Sequence, residues 1–189
     1  GALQQNPSQR GVLRLARLAG LDVDHDKNGQ AITADGKRLI RVQEFLKEGD
    51  PRAAQVFETI GYYLAYAIAL ALPVYRMQHV VLFGRCTKAQ GGEIIAASAQ
   101  RNLAVIISDL VAQGVYPADL PTVDIRLVSE DDYAALFGKE LSDKYQGNFA
   151  ARYGQAVGAL YVAAQKSAQP LSFNDGLSDE ELEQYYKGS

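Results

Sequence analysis

The sequence is poor in the residues that build disulfides, zinc sites and secretory signals. Its 189 residues include one cysteine, Cys86, and two histidines, His25 and His79. A single cysteine cannot form an intrachain disulfide, and this set is too small for the usual structural zinc sites. The first residues lack the charged-then-apolar order of a secretory signal. We therefore expect a reducing, cytoplasmic location. No histidine adjoins Cys86 in the sequence, so we do not expect a catalytic thiol.

Positive charge and long apolar runs are also scarce. The formal net charge is -3, and the one local basic cluster is Arg10, Arg14 and Arg17. Their spacing stripes one face of a predicted helix, which we interpret as a solvated face. This charge balance gives no basis for binding nucleic acid or an anionic membrane. The longest apolar run, residues 62–75, is shorter than the roughly 20 residues of a membrane span, so it predicts a buried core helix.

Capping and turn residues predict three helices in the first part of the chain. Ser8 is a suitable N-cap for a first helix that ends at Gly20. A short amphipathic helix is predicted over 40–50. Asp50 and Pro51 then predict the start of a third helix that runs to about residue 72.

The remainder of the chain alternates strands and helices. The segment 77–84 is apolar without alternation at its centre, which predicts a strand covered on both faces. A second strand is predicted over 122–130. Two strands make a poorly closed sheet, so we expect that strands are missing and that this chain is the C-terminal part of a larger protein. The other predicted segments are a loop over 85–92, one helix over 93–114 or two with a break near Asn102, and helices over 130–138, 148–167 and in a tail at 168–189.

An acidic loop lies between the first two helices. From Asp24, the spacing of Asp24, Asp26, Asn28 and Asp35, with Gly29 at the sixth position, resembles a calcium-binding loop. Gly36 is a poor start for an exiting helix, and no second loop of this kind is present. The alternative is a polar loop or hairpin over 22–38 that turns at Asn28-Gly29. The pattern favours the hairpin and leaves calcium binding open.

The segment 50–101 carries the most information about function. A buried helix leads to an apolar strand, and a turn with glycines and a hydroxyl group opens the next helix. Ligands of open α/β sheets lie beyond the carboxyl ends of the strands, and the amino end of a helix suits a phosphate. The turn is not a Walker phosphate loop. By spacing alone, a plain strand–turn–helix connection is an equal interpretation.

This segment resembles the C-terminal lobe of the ROK family, which comprises bacterial sugar kinases and sugar-responsive repressors. "FETIGYYLAYAIA" (57–69) is similar to the family's lobe-spanning helix, and "VVLFGRCTKAQGGE" (80–93) to the strand and turn that approach the adenosine part of ATP. "YGQAVGALYVA" (153–163) resembles the closing helix, and "PSQRGVLRLARLAG" (7–20) a helix that some members carry.

The resemblance implies an α/β fold, the C-terminal lobe of an actin-like ATPase (ribonuclease H-like) fold, helix-rich with a small incomplete sheet. Residues 1–167 would form this lobe, and residues 168–189 a tail with a short helix. ATP with Mg²⁺ is the implied cofactor. The implied nucleotide-side residues are Gly84, Arg85, Thr87, Gly91 and Gly92.

The sequence departs from the family in ways that bear on activity. Only Gly84 stands where the family turn carries consecutive glycines. The N-terminal phosphate loop, the catalytic Asp and the Cys/His zinc motif of such kinases do not occur. Phosphoryl transfer lacks its main parts without them, so we expect no kinase activity from this chain alone.

Three functions remain as hypotheses. The first is the nucleotide-side lobe of a ROK-like sugar kinase or of a degenerate relative. The second is a non-catalytic sugar-sensing or dimerisation lobe of a ROK-like regulator. The third is an autonomous calcium-binding or scaffolding domain. Apolar surface left where a second lobe would pack predicts a homo-oligomer.

Overall fold

The computed structural model describes residues 7–128, which belong to one compact unit. Within this range, four α-helices and two strands follow one another along the chain. They are α1 (Gln9–Leu18), α2 (Asp35–Lys47), α3 (Pro51–Tyr75), β1 (His79–Leu82), α4 (Ala89–Ala112) and β2 (Asp124–Leu127), with a 3₁₀ turn at Arg85–Thr87 between β1 and α4. The helices predicted over 130–138, 148–167 and 168–189 lie outside the described residues. The observed class is α/β, rich in helix.

The predicted caps are confirmed at the starts of two helices. The Ser8 side chain accepts a hydrogen bond from the Gly11 N–H, at 3.3 Å. Asp50 accepts from the Arg52 N–H at 2.9 Å, with Pro51 in the first turn of α3. These oxygens satisfy helix N–H groups that have no partner inside the helix.

The start predicted for α2 is wrong. The helix begins at Asp35 and not near residue 40, so the polar loop ends at Ala34. The helix tolerates Gly36 in its first turn because Leu39, Val42 and Leu46 are buried one turn apart in the core. Asp35 also suits the amino end of the helix dipole.

The predicted end of α3 is also wrong, because the helix continues through Pro73 to Tyr75. A proline has no N–H, so the carbonyl four residues earlier, that of Ala69, loses its helical donor. The Tyr116 hydroxyl donates to this carbonyl at 2.9 Å. This donor belongs to the segment after α4. Sequence patterns around Pro73 cannot predict a contact with a residue so far along the chain.

Helix α4 crosses between two parallel strands and packs against α3. β1 pairs with β2 in parallel, with Val80 opposite Ile125. α4 is unbroken at Asn102, which corrects the suggested division into two helices. At the crossing with α3, a Cβ on Gly61 would lie 2.6 Å from both the Ile95 carbonyl oxygen and the Ser98 Cβ. Only glycine allows this approach.

The sheet is covered on one face by the described residues. Along β1, Leu82 is buried, whereas Val81 is 52% exposed. The prediction of a strand covered on both faces is therefore not met within residues 7–128. The outer edge of β2 is occupied by a side chain: Gln100 donates to the Val123 carbonyl at 2.9 Å and accepts from the Ile125 N–H at 3.0 Å.

Helices α3 and α4 are both long and apolar enough to cross a membrane. This corrects the argument from the apolar run at 62–75, because the helix that contains it begins at Pro51. Length and composition are weak evidence, since the core helix of a soluble protein meets the same criterion. Of the most apolar stretch of each helix, 44% and 22% respectively is buried. Both helices therefore leave apolar surface outside the described core.

Candidate functional site

The turn between β1 and α4 lies at the carboxyl ends of both parallel strands, where ligands of α/β sheets bind. Gly84 has φ +118° and ψ -173°, a conformation that side chains rarely adopt, and nothing lies within 4 Å of its missing Cβ. Thr87 closes the turn: its N–H and its hydroxyl donate to the Gly84 carbonyl, at 3.3 and 3.1 Å. The hydroxyl oxygen still has capacity to accept a hydrogen bond.

The glycines at 91 and 92 lie in the first turn of α4, not in the preceding loop as the sequence suggested. Both are buried. A Cβ on Gly92 would lie 2.1 Å from the Thr87 carbonyl oxygen, and one on Gly91 would lie 2.7 Å from the Phe57 ring. Their small size is therefore required for packing inside the protein. Contact of their backbone with a nucleotide stays a prediction.

Ala89, the first residue of α4, has φ +53°. This left-handed conformation is unfavourable for a residue with a Cβ, and it persists only where the surrounding structure imposes it. The turn is therefore strained at the point where it becomes helix.

Helix α2 forms hydrogen bonds with the β1–α4 turn. The Gln43 side-chain amide donates to the backbone carbonyls of Arg85 and Lys88, at 3.3 and 3.5 Å. The Arg85 guanidinium lies beside the start of α2, with Nη1 3.6 Å from the position that a Cβ of Gly36 would take. Sequence reasoning missed Gln43, because the contact joins residues more than forty positions apart.

Cys86 lies in the same turn and is partly buried. Burial raises the pKa of its thiol to about 11. A thiol of this kind is almost entirely protonated at neutral pH, so it is a poor nucleophile.

The acidic loop is a hairpin-like turn closed by internal contacts. His25 and Ala31 form an antiparallel bridge, and Gly29 has φ +80°. Asp26 Oδ1 accepts from the N–H groups of Asn28 and Gln30, both at 2.8 Å. Within residues 7–128, no group of three or more metal-binding side chains could hold a metal ion.

Two arginines share the carboxylate of Asp24. Arg17 contacts it through Nε and Nη2 at 3.1 and 2.9 Å, and Arg38 Nε lies 2.8 Å away. The hydrogen bond from Arg17 is the main cause that lowers the pKa of Asp24 below its usual value. Arg10 is exposed, as expected for the solvated face of α1.

A cavity of about 310 Å³ lies beside this loop and not at the β1–α4 turn. Its charged lining is two carboxylates, Asp26 and Glu44, and two cations, Lys37 and Arg41. Arg41 is paired with Glu44 at 2.9 Å. The balanced charges favour no single class of ligand.

Apolar side chains form an exposed stripe along α3. Tyr62, Tyr66, Leu70 and Val74 follow at four-residue intervals, with exposures of 41%, 45%, 71% and 76%. We call these four residues the outer stripe of α3. The two tyrosine rings stack edge to face, with centroids 5.0 Å apart. The prediction of a buried core helix over 62–75 is therefore met on one face only within the described residues.

Comparison with known proteins gave no match. No family model, no curated protein and no solved structure matches this chain.

Proposed function

We propose that this chain is the nucleotide-side lobe of a ROK-like sugar kinase or of a degenerate relative, with an actin-like ATPase fold. The observation that supports the proposal is the β1–turn–α4–β2 unit. Its turn lies at the carboxyl ends of two parallel strands, and Gly84 leaves open space at its start. The family resemblance of residues 50–101 gives the proposal its ligand, ATP with Mg²⁺.

In this proposal the turn binds phosphate or ribose and does no chemistry. Gly84 permits close approach of the ligand, Thr87 offers a hydroxyl, and Arg85, which is exposed, offers a positive charge. The β1–α4 turn contains no carboxylate or histidine that could take a proton from a sugar hydroxyl. Transfer would therefore require a base from outside this turn.

Thermal melting with and without Mg-ATP tests the proposal. A ligand that binds only the folded state at about 100 times its Kd adds about 2.7 kcal/mol of stability. We expect Mg-ATP to raise the Tm of the wild-type chain and Mg²⁺ alone to leave it unchanged.

Two glycine variants distinguish a loss of Mg-ATP binding from a general loss of stability caused by backbone strain. Gly84→Ala should abolish the Mg-ATP shift. Gly114→Ala is the matched control, because Gly114 also has positive φ (+70°) and open space around its Cβ position but follows α4 at its other end. It should melt lower than wild type and keep the full shift. Absence of any shift in the wild-type chain, or an equal loss in both variants, would contradict the proposal.

A second proposal, a dimerisation lobe of a ROK-like regulator, is favoured by the outer stripe of α3. Exposed apolar patches of this kind commonly mark interfaces. Leu70→Lys should convert a dimer to a monomer in light scattering, whereas Leu18→Lys, at a leucine 78% exposed on α1, should not. A wild-type chain that is monomeric at high concentration would refute this proposal.

A further inference from the structure

The guanidinium group of Arg38 bridges the first and last carboxylates of the acidic loop. Its Nε lies 2.8 Å from Asp24 Oδ1, an ion pair without hydrogen-bond geometry, and its Nη1 donates to Asp35 Oδ1 at 2.8 Å. Asp24 and Asp35 are positions one and twelve of the calcium-loop pattern. In such loops a cation joins these two positions. Here one side chain joins them.

Other oxygens of the pattern are also engaged by the protein itself. Position three, Asp26, uses Oδ1 for two backbone N–H groups. Position seven should supply a backbone carbonyl, but the Gln30 carbonyl accepts from the Asp26 N–H at 2.9 Å. Four of the five oxygen-bearing positions of this loop therefore already have partners in the protein.

The charges of the first and last positions of the loop balance without a metal ion. Asp24 and Asp35 contribute two negative charges, and Arg17 and Arg38 contribute two positive charges within contact distance. Arg17 comes from α1, Asp24 from the loop, and Arg38 from α2. The side chain of Arg38 is 22% exposed, less than those of its two partners at 44% and 50%. The bridging cation is thus the most buried member of the network.

We infer that the Arg38 guanidinium takes the place of a divalent cation in this loop and holds α1, the loop and α2 together. Helix α2 also carries Gln43, which binds two carbonyls of the β1–α4 turn. The network around Arg38 therefore also helps to fix the position of that turn. The inference does not depend on nucleotide binding.

Melting of the full chain in calcium chloride and in EDTA tests this inference. The wild-type Tm should be the same in both. Arg38→Gln should lower the Tm by about 3 °C, since it removes a partly exposed two-pronged pair. Calcium at millimolar concentration should restore part of that loss in Arg38→Gln, because Asp35 then loses its ion-pair partner and Asp24 keeps only Arg17. Magnesium should restore less, since it requires a tighter octahedral site.

Lys37→Gln is the matched control. Lys37 is the neighbouring residue on α2, is exposed, and has no ion pair within the described residues. Its replacement removes the same charge near the same loop but leaves the bridge intact, so neither the Tm nor the calcium response should change. The double variant Arg38→Gln, Asp35→Asn should lose the calcium response of Arg38→Gln.

Three outcomes would overturn the inference. One is a wild-type chain stabilised by calcium, and another is an Arg38→Gln variant that calcium does not stabilise. If Arg38→Gln does not fold, Arg38→Lys serves as the second variant, because lysine keeps the charge but not the planar two-pronged geometry. A wild-type Tm in Arg38→Lys is the third contrary outcome.

Discussion

Replacement of Tyr116 by phenylalanine should destabilise the chain, because it removes the hydrogen-bond donor of a buried carbonyl group in α3. Pro73 removes the N–H that would bond the Ala69 carbonyl, and the Tyr116 hydroxyl supplies a hydrogen bond of 2.9 Å in its place. Ala69 is 1% exposed, so water cannot readily replace a lost donor. A buried acceptor left without a partner costs about 1–3 kcal/mol. Since Tyr116 is only partly buried, we expect about 1–1.5 kcal/mol.

Comparing Tyr116→Phe in the wild-type chain and in a Pro73→Ala background separates loss of this hydrogen bond from loss of packing. The alanine restores an N–H four residues after Ala69, so the carbonyl regains a helical donor. Tyr116→Phe should then cost less in the Pro73→Ala background, with a coupling energy of about 0.5–1 kcal/mol. Tyr75→Phe serves as the control, because Tyr75 is 74% exposed, and its replacement should change the stability little in either background.

Urea unfolding followed by circular dichroism measures all of these variants. The denaturant dependence should stay constant, since the surface exposed on unfolding does not change. An equal cost of Tyr116→Phe in both backgrounds would refute the reasoning. The hydroxyl would then act through packing or another partner.

Three further predictions follow from the packing of the helices and the turn. Gly61→Ala should lower the unfolding free energy by about 1–3 kcal/mol, since its Cβ would collide with α4; a neutral result in urea unfolding would contradict this close approach. Ala89→Gly should raise the Tm, because glycine adopts a positive φ without strain. The control Ala104→Gly, in an exposed part of α4, should lower the Tm, since glycine costs about 1 kcal/mol of unfolding free energy inside a helix. A lower Tm for Ala89→Gly would argue against strain at this residue. Cys86 should react with iodoacetamide at pH 9 much more slowly than it does in guanidinium chloride, because its folded pKa is about 11. The stability should fall as the pH rises above 9, since only the unfolded chain then releases the proton; equal alkylation rates would count against the raised pKa.

Local chemistry predicted the ends of helices where caps act alone. Ser8, Asp50 and Pro51 needed only their neighbours in sequence, and each has the predicted role. The prediction failed at Gly36 and Pro73, two residues that disfavour helix. At both positions distant contacts decide the outcome: the burial of one face of α2, and a tyrosine hydroxyl from beyond α4.

The candidate site was predictable in position but not in detail. The order of strand, turn and helix located the turn, and Gly84 in it has φ +118°, a conformation that favours glycine. The packing role of Gly91 and Gly92 depends on Phe57 and on the carbonyl of Thr87. Sequence spacing does not reveal which neighbour a glycine accommodates. The proposal that a nucleotide binds therefore depends on the turn as a whole and not on its glycine count.

The amide of Gln100 makes the two edges of the small sheet different. It occupies the Val123 carbonyl and the Ile125 N–H at the start of the outer edge of β2, as a neighbouring strand would. Within residues 7–128, no strand pairs with the other edge of β1. Within the described residues, the sheet therefore offers its free hydrogen-bonding groups mainly along the edge of β1. Association of copies through the edge of β1 would favour a closed pair over a fibre.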